Sequence, residues 1–275
     1  MSATPPSSLL SSKAAPGASS AARTAPGQAS RASRIASLAY GSLAYALFLA
    51  TFLYAIGFVG GILVPTTVDD GRRAGVIEAL VVNGALLALF AVQHTIMARP
   101  AFKRRWTRIV PPQIERATFV LVTCLILGAT FWQWRHLPGT LWEVHGPVAW
   151  FLRGVSALGW GIVLFASFLI DHFELFGLRQ VVRHFLGRPP EPPQFRERAL
   201  YRVVRHPLML GFLLAFWATP VMSTGHLFFA ALCSGYILVG IQIEERTLVA
   251  EHGESYLDYK RRVPMLVPLR RRSIW

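Results

Sequence analysis

The stretch Leu200-Tyr201-Arg202-Val203-Val204-Arg205-His206-Pro207 places two cationic side chains and a proline just before an apolar run, Leu208–Met222. A second apolar run, Leu227–Ile243, ends in Glu244-Glu245-Arg246. Only Ser223-Thr224-Gly225-His226 separates the two runs, a spacing that predicts a tight helical hairpin. At about 1.5 Å per residue the arms are about 22 and 25 Å long. Arms of similar length bring their outer ends level, so the reading places Arg205 and His206 beside Glu244 and Glu245 at one edge of a bilayer. Cations and carboxylates gathered there are costly unless they pair or bind something.

The rest of the chain supports a membrane setting. Of its 275 residues 53% are hydrophobic and only 15% are charged, a polytopic membrane composition rather than a soluble one. Six apolar runs are legible: about Ser37–Val64, Val76–Ala98, Thr118–Trp134, Val148–Ile170, Leu208–Met222 and Leu227–Ile243. The first, second and fourth are long enough to span alone. The third, fifth and sixth are short, and the last two also read as one re-entrant hairpin. The expected fold is all-α: a polytopic membrane helix bundle of five to six spans, with a C-terminal helical hairpin and a cytoplasmic interfacial helix. The expected layout is a disordered tail over 1–34, one membrane-embedded domain over 35–268 and a basic tail over 269–275. The tail is rich in Ser, Ala, Pro and Gly, carries Lys13, Arg23, Arg31 and Arg34, and has no acidic residue. An organelle transit peptide is the competing reading; a secretory signal is excluded by the late, long first apolar run.

The net charge of +14 would suggest nucleic acid in a soluble protein. Here it reads as basic cytoplasmic loops, with no nucleic-acid partner. Arg99–Arg116 carries six basic residues against Glu115, whereas 65–75 and 135–147 are each balanced. Positive and neutral segments alternate, which predicts both termini in the cytoplasm. Cys124 and Cys233 lie inside apolar runs, so neither a disulfide framework nor a metal site is expected. Trp132, Trp134, Trp142 and Trp150 gather around the expected outer loop as an aromatic belt.

Arg205-His206-Pro207, Gly211, Glu244-Glu245, Leu248, Gly253, Tyr256, Tyr259 and Val263-Pro264 occur here in an order that resembles the core of the isoprenylcysteine carboxyl methyltransferase and phosphatidylethanolamine methyltransferase superfamily. More of the chain, roughly 38–268, resembles the nurim family and, within it, the bacterial methanethiol S-methyltransferases. The carrying stretches are Val92-Gln93-His94 with Met97-Ala98-Arg99-Pro100, Phe131-Trp132-Gln133-Trp134-Arg135, and Asp171-His172-Phe173-Glu174-Leu175-Phe176-Gly177-Leu178-Arg179. Met209 departs from the superfamily, which usually has Tyr two residues after the proline. The resemblance implies S-adenosyl-L-methionine as cofactor, bound by Arg205, His206, Gly211 and the acidic pair.

Physical chemistry gives each residue a role and a rival role. Pro207 suits a first helical position, where free amides favour an anion. Arg205 is a bidentate carboxylate partner, or it snorkels to lipid phosphate with Arg202. Glu244 and Glu245 lie about 100° apart on a helix, so one is free for the cofactor's ammonium or sulfonium while the other pairs with Arg205 or Arg202. Beyond them, Arg246–His252 continues the helix, Gly253 stops it, and Glu254–Arg261 forms the interfacial helix. Tyr256 and Tyr259 either cover the adenosine or pack that helix. Lys260-Arg261-Arg262 and Arg270-Arg271-Arg272 read as membrane-lipid contacts. The Pro-rich loop 187–194 is short, and no lid or second domain follows from the sequence, so the acceptor is small or lipophilic, with no protein partner inferred. A thiol acceptor needs a base: His206 first, His172 oriented by Asp171 second, His94 third. His172, Asp171 and Glu174 lack the further ligands of a metal site. Methanethiol is the small thiol substrate that the resemblance implies, with a prenyl-cysteine or lipid amine as alternatives. Other classes are an NADPH-dependent membrane reductase and a non-catalytic nurim-like protein. The reductases resemble an Arg-x-Pro-Asn-Tyr pattern, against Arg205-His206-Pro207-Leu208-Met209 here.

Overall fold

Serine and proline start most of the long helices. Ser30 accepts a hydrogen bond from the Ser33 amide at 3.2 Å and opens α1, Arg31–Gly60. The helix therefore begins inside the stretch read as tail. Proline stands in the first turn of α3 (Pro100–Trp106), α4 (Pro112–Gln133), α5 (Gly146–Ile170) and α8 (Pro207–Trp217), where a missing amide costs nothing. Between these run α2 (Val76–Met97), α6 (His172–Leu175) and α7 (Leu178–Phe185); α9 (Thr224–His252) and α10 (Glu254–Arg262) close the order. This computed structural model describes residues 30–189 and 198–268. The expected tail up to residue 29, most of the Pro-rich loop and the basic tail 269–275 lie outside the described residues.

Five helices, α1, α2, α4, α5 and α9, are long and apolar enough to cross a bilayer. The protein is an all-α integral membrane bundle. The third run is longer than its apolar part suggested. α4 has 22 residues because Pro112–Ala117, with Glu115 and Arg116, joins it.

The hairpin differs from the expected pair of equal helices. α8 has only 11 residues and stops at Trp217. The chain then turns at Ala218, where the Thr219 amide donates to the Trp217 carbonyl at 3.0 Å, and ends in β2, Val221–Ser223, which pairs antiparallel with β1, Thr140–Glu143. The expected turn is instead the start of α9: Ser223 caps it, accepting from the His226 amide at 3.0 Å. The ends still meet, for a geometric reason. About 16 Å of α8 plus at most about 20 Å of non-helical chain, shortened by the turn at Ala218, is enough to match the rise of about 31 Å from Thr224 to Glu244 in α9.

α5 and α8 pack at backbone distance. A Cβ on Gly211 would lie 2.7 Å from the Gly159 carbonyl oxygen, and one on Gly159 2.6 Å from that of Gly211. The main core is aromatic, with Phe58, Phe131, Trp134, Trp160, Phe216 and Phe229 in one cluster. Trp134 is fully buried and donates to the Val68 carbonyl at 3.0 Å, so it is a core anchor rather than a belt residue. Trp132, Trp142 and Trp150 remain exposed. Buried Asn83 fastens the next loop by exchanging two 2.8 Å hydrogen bonds with the Arg135 backbone.

Candidate active site

At the other end of the bundle the chain closes on itself. The amides of Arg205 and His206 donate to the carbonyls of Pro264 and Met265, at 2.9 and 3.1 Å. This short backbone ladder brings the segment after α10 under the start of α8. Inside it Arg205, His206 and Glu245 are all buried. Arg205 Nε donates to Glu245 Oε1 at 2.7 Å, and its Nη1 donates to the Lys260 and Val263 carbonyls. Lys260 Nζ reaches Glu245 Oε2 at 2.7 Å. Glu245 is therefore the centre of an ionic clasp that fastens α10 to the α8–α9 mouth.

His206 lies between the two carboxylates. Its Nε2 is 3.1 Å from Glu245 Oε1 and its Nδ1 is 3.7 Å from Glu244 Oε2. A carboxylate only accepts, so the contact to Glu245 uses a proton on Nε2, and Nδ1 is the nitrogen turned toward Glu244. The Glu244 side chain is 50% exposed. The adjacent glutamates thus divide as their helical offset predicts: Glu245 is committed inward and Glu244 is open.

The remaining expected residues fall elsewhere. Gly211 lies in the α5–α8 contact, so the structure gives it a packing role. Tyr256 and Tyr259 are buried with Val263, Leu248 and Val249, and Tyr259 donates to the Tyr201 carbonyl at 2.6 Å. Burial pushes the phenols of Tyr201 and Tyr256 above their usual range, with Glu244 raising the first and Glu245 the second. Both keep their protons at neutral pH. Lys260, read as a lipid contact, is instead part of the clasp. Its signal was the spacing of Tyr256, Tyr259, Lys260 and Val263, which share one helix face.

His172 belongs to a separate buried network. Ser167 spends its hydroxyl proton on the Leu164 carbonyl at 2.6 Å, so it accepts from His172 Nδ1 at 2.8 Å. His172 Nε2 then accepts from the Tyr45 hydroxyl at 2.9 Å. This fixes the tautomer and uses both nitrogens. Asp171 does not orient His172. It caps α6 by accepting from the Glu174 amide at 3.1 Å and pairs with Arg179. Glu174 holds Gln180 at 2.9 Å. Gly177, at φ +85°, lets this turn approach the Ala117 backbone, where a Cβ would lie 2.6 Å from the amide. Gln93 bonds Met97 and Thr123 within the α2–α4 contact. His94 packs on Phe119 and Phe90, with ring centroids 4.9 and 5.3 Å away. Tyr45 was not singled out from sequence, because a tyrosine in an apolar span has no local mark of a distant histidine partner. Nor was Arg99 given a site role; its Nη1 lies 3.4 Å from Thr247 Oγ1, one turn beyond Glu244.

Five spanning helices with a charged mouth built from the last hairpin define a polytopic membrane protein with one polar site at a bundle end. Over 235 residues the chain is 53% identical to methanethiol S-methyltransferase 2 of Bradyrhizobium diazoefficiens, covering 86% of this chain and 91% of that relative. The methanethiol S-methyltransferase of Mycobacterium tuberculosis is 52% identical over 236 residues, 86% of this chain and 97% of its own. The chain belongs to the methanethiol S-methyltransferase family. Nurim of Rattus norvegicus is a more distant relative, 28% identical over 188 residues, covering 63% of this chain and 69% of nurim. No protein-family model matches the chain. No solved structure matches it either.

Proposed function

We propose that this chain is an integral-membrane enzyme that transfers a methyl group from S-adenosyl-L-methionine to methanethiol, giving dimethyl sulfide. The observation that carries the reading is the open carboxylate of Glu244 beside His206 Nδ1, in a chain 53% identical over 235 residues to a methanethiol S-methyltransferase. The donor set fits the cofactor in part. Glu244 suits its ammonium or sulfonium, whereas Arg205 already spends Nε and Nη1 on the clasp. Arg205 therefore acts mainly by holding the mouth together.

When bound, the cofactor supplies an activated methyl group on a positively charged sulfur. The chain's own residues do the rest. His206 Nδ1 takes the thiol proton, and the resulting imidazolium faces carboxylates on both sides. An alkyl thiol is a weak nucleophile until it loses that proton. Neutralising the opposite charges of thiolate and sulfonium is favoured where water is excluded. His172, with both nitrogens occupied, orders the α1–α5 junction. The charged mouth and both termini face the cytoplasm of a bacterial inner membrane, where the cofactor is, as the loop charges support. A reporter fused after Trp275 and active only outside the cytoplasm would overturn that orientation.

Headspace gas chromatography of membranes given methanethiol and methyl-labelled cofactor tests the reaction. Labelled dimethyl sulfide is expected. Label in lipid or protein instead would refute the thiol assignment. Stabilisation of the purified protein by NADPH, and not by S-adenosylhomocysteine, would refute methyl transfer altogether.

A further inference from the structure

A second polar concavity lies beside the mouth but outside its chemistry. The end of α2 and the short α3 enclose a cavity of about 520 Å3, lined by Ile96, Ala101, Phe102 and four arginines, Arg99, Arg104, Arg105 and Arg108. It has no acidic lining residue. Among the described residues the guanidinium groups of Arg104, Arg105 and Arg108 have no carboxylate or hydrogen-bond partner. Arg99 is the exception, through Thr247. Nearby Lys103 has its ammonium pKa lowered, by burial first and then by the Arg116 charge. Like charges so gathered repel unless a counter-ion joins them.

The lining also has an apolar side. Ile96 is 48% exposed, and Phe102 stacks on Trp106 with centroids 5.6 Å apart. A phosphate ringed by arginines, continuous with an apolar wall at the end of a spanning helix, is the surrounding of a phospholipid headgroup. Four guanidinium groups repel a sulfonium, so the pocket suits an anion rather than the methyl donor.

We propose that this pocket binds the phosphodiester headgroup of an anionic phospholipid, with the arginines on the phosphate and the glycerol end against Ile96 and Phe102. Through the Arg99–Thr247 contact the lipid is tied to the turn of α9 that follows Glu244. The proposal stands on the cavity and its charges, and does not depend on which acceptor is methylated.

The test uses the full chain in nanodiscs of phosphatidylcholine carrying a titrated fraction of phosphatidylglycerol, with native mass spectrometry counting retained lipid. Wild type is expected to retain phosphatidylglycerol over phosphatidylcholine. The triple variant Arg104→Gln, Arg105→Gln, Arg108→Gln is expected to bind it on the order of a hundredfold more weakly, from about a fivefold loss per arginine. These side chains are unpartnered, so the variant should melt with wild type. Arg73→Gln with Arg153→Gln, two arginines outside this pocket, controls for bulk charge and should bind as wild type does. Equal retention by the triple variant and wild type would overturn the proposal, as would equal loss in the control. Displacement of the lipid by inorganic phosphate alone would also overturn it, marking a site for a free anion.

Discussion

Replacing Glu245 by Gln should loosen the whole mouth, while the same change at Glu244 should spare the fold and weaken the cofactor. The Arg205 and Glu245 side chains are only 6% and 3% exposed. Removing one charge of such a pair leaves the other buried and uncompensated, at a cost of about 3–5 kcal/mol. Lys260 is 42% exposed, and its share is screened to about 1 kcal/mol or less. For a chain of this size about 2–4 °C is lost per kcal/mol, so Glu245→Gln should lower the melting temperature by about 6–20 °C. Glu244 is half exposed and its contact to His206 is 3.7 Å long, so Glu244→Gln should cost about 0–1 kcal/mol. Its loss appears in binding instead. A charge-assisted contact of about 1.5–3 kcal/mol corresponds to about ten- to a hundredfold in affinity for S-adenosylhomocysteine. Tryptophan-fluorescence melting in detergent and isothermal titration separate the two effects. If Glu245→Gln melts with wild type, or Glu244→Gln unfolds the protein while Glu245→Gln only weakens binding, the division of the glutamates is refuted.

Gly211→Ala should destabilise by about 1–3 kcal/mol through overpacking against Gly159, whereas Gly154→Ala, with open space around it, should melt with wild type. Burial lowers the His172 pKa below its usual 6.5. The unfolded chain therefore binds that proton more readily, and the stability His172 contributes is full above about pH 6.5 and lost as pH falls. Melting followed from pH 8 to about 5 should show this decline, and His172→Gln should flatten it. Asn83→Leu breaks both bonds to the Arg135 backbone and should cost about 1–3 kcal/mol, read by the same melts; a change near zero would show that water takes over those bonds. His206→Gln should abolish dimethyl sulfide formation while S-adenosylhomocysteine still binds, measured by headspace chromatography and calorimetry; retained turnover would remove His206 as base.

The sequence by itself determined the membrane setting, a bundle of five to six spans and the meeting of Arg205–His206 with Glu244–Glu245. These follow from run length, loop charge and the alternating direction of successive spans, all local or additive properties of the chain. It also divided the two glutamates in principle, since a 100° offset turns them in different directions, and they meet only at opposite nitrogens of His206. Tertiary structure alone decided which one faces inward. Glu245 is buried because α10 and the segment after it return under α8, bringing Lys260 to Glu245 and the Val263 carbonyl to Arg205. No local pattern in α9 encodes that return. Gly211 was assigned to the cofactor from its place in a motif, but a backbone-to-backbone helix contact leaves the same mark in sequence as a ligand contact. The short α8 is a third case. An apolar run shows where a chain avoids water, and it does not show that Thr219–Ser223 leaves the helix to pair with a strand from another loop. The cationic cavity at α3 is the last. Its arginines were legible as a charge count, and only the folded α2–α3 corner turns them toward one another.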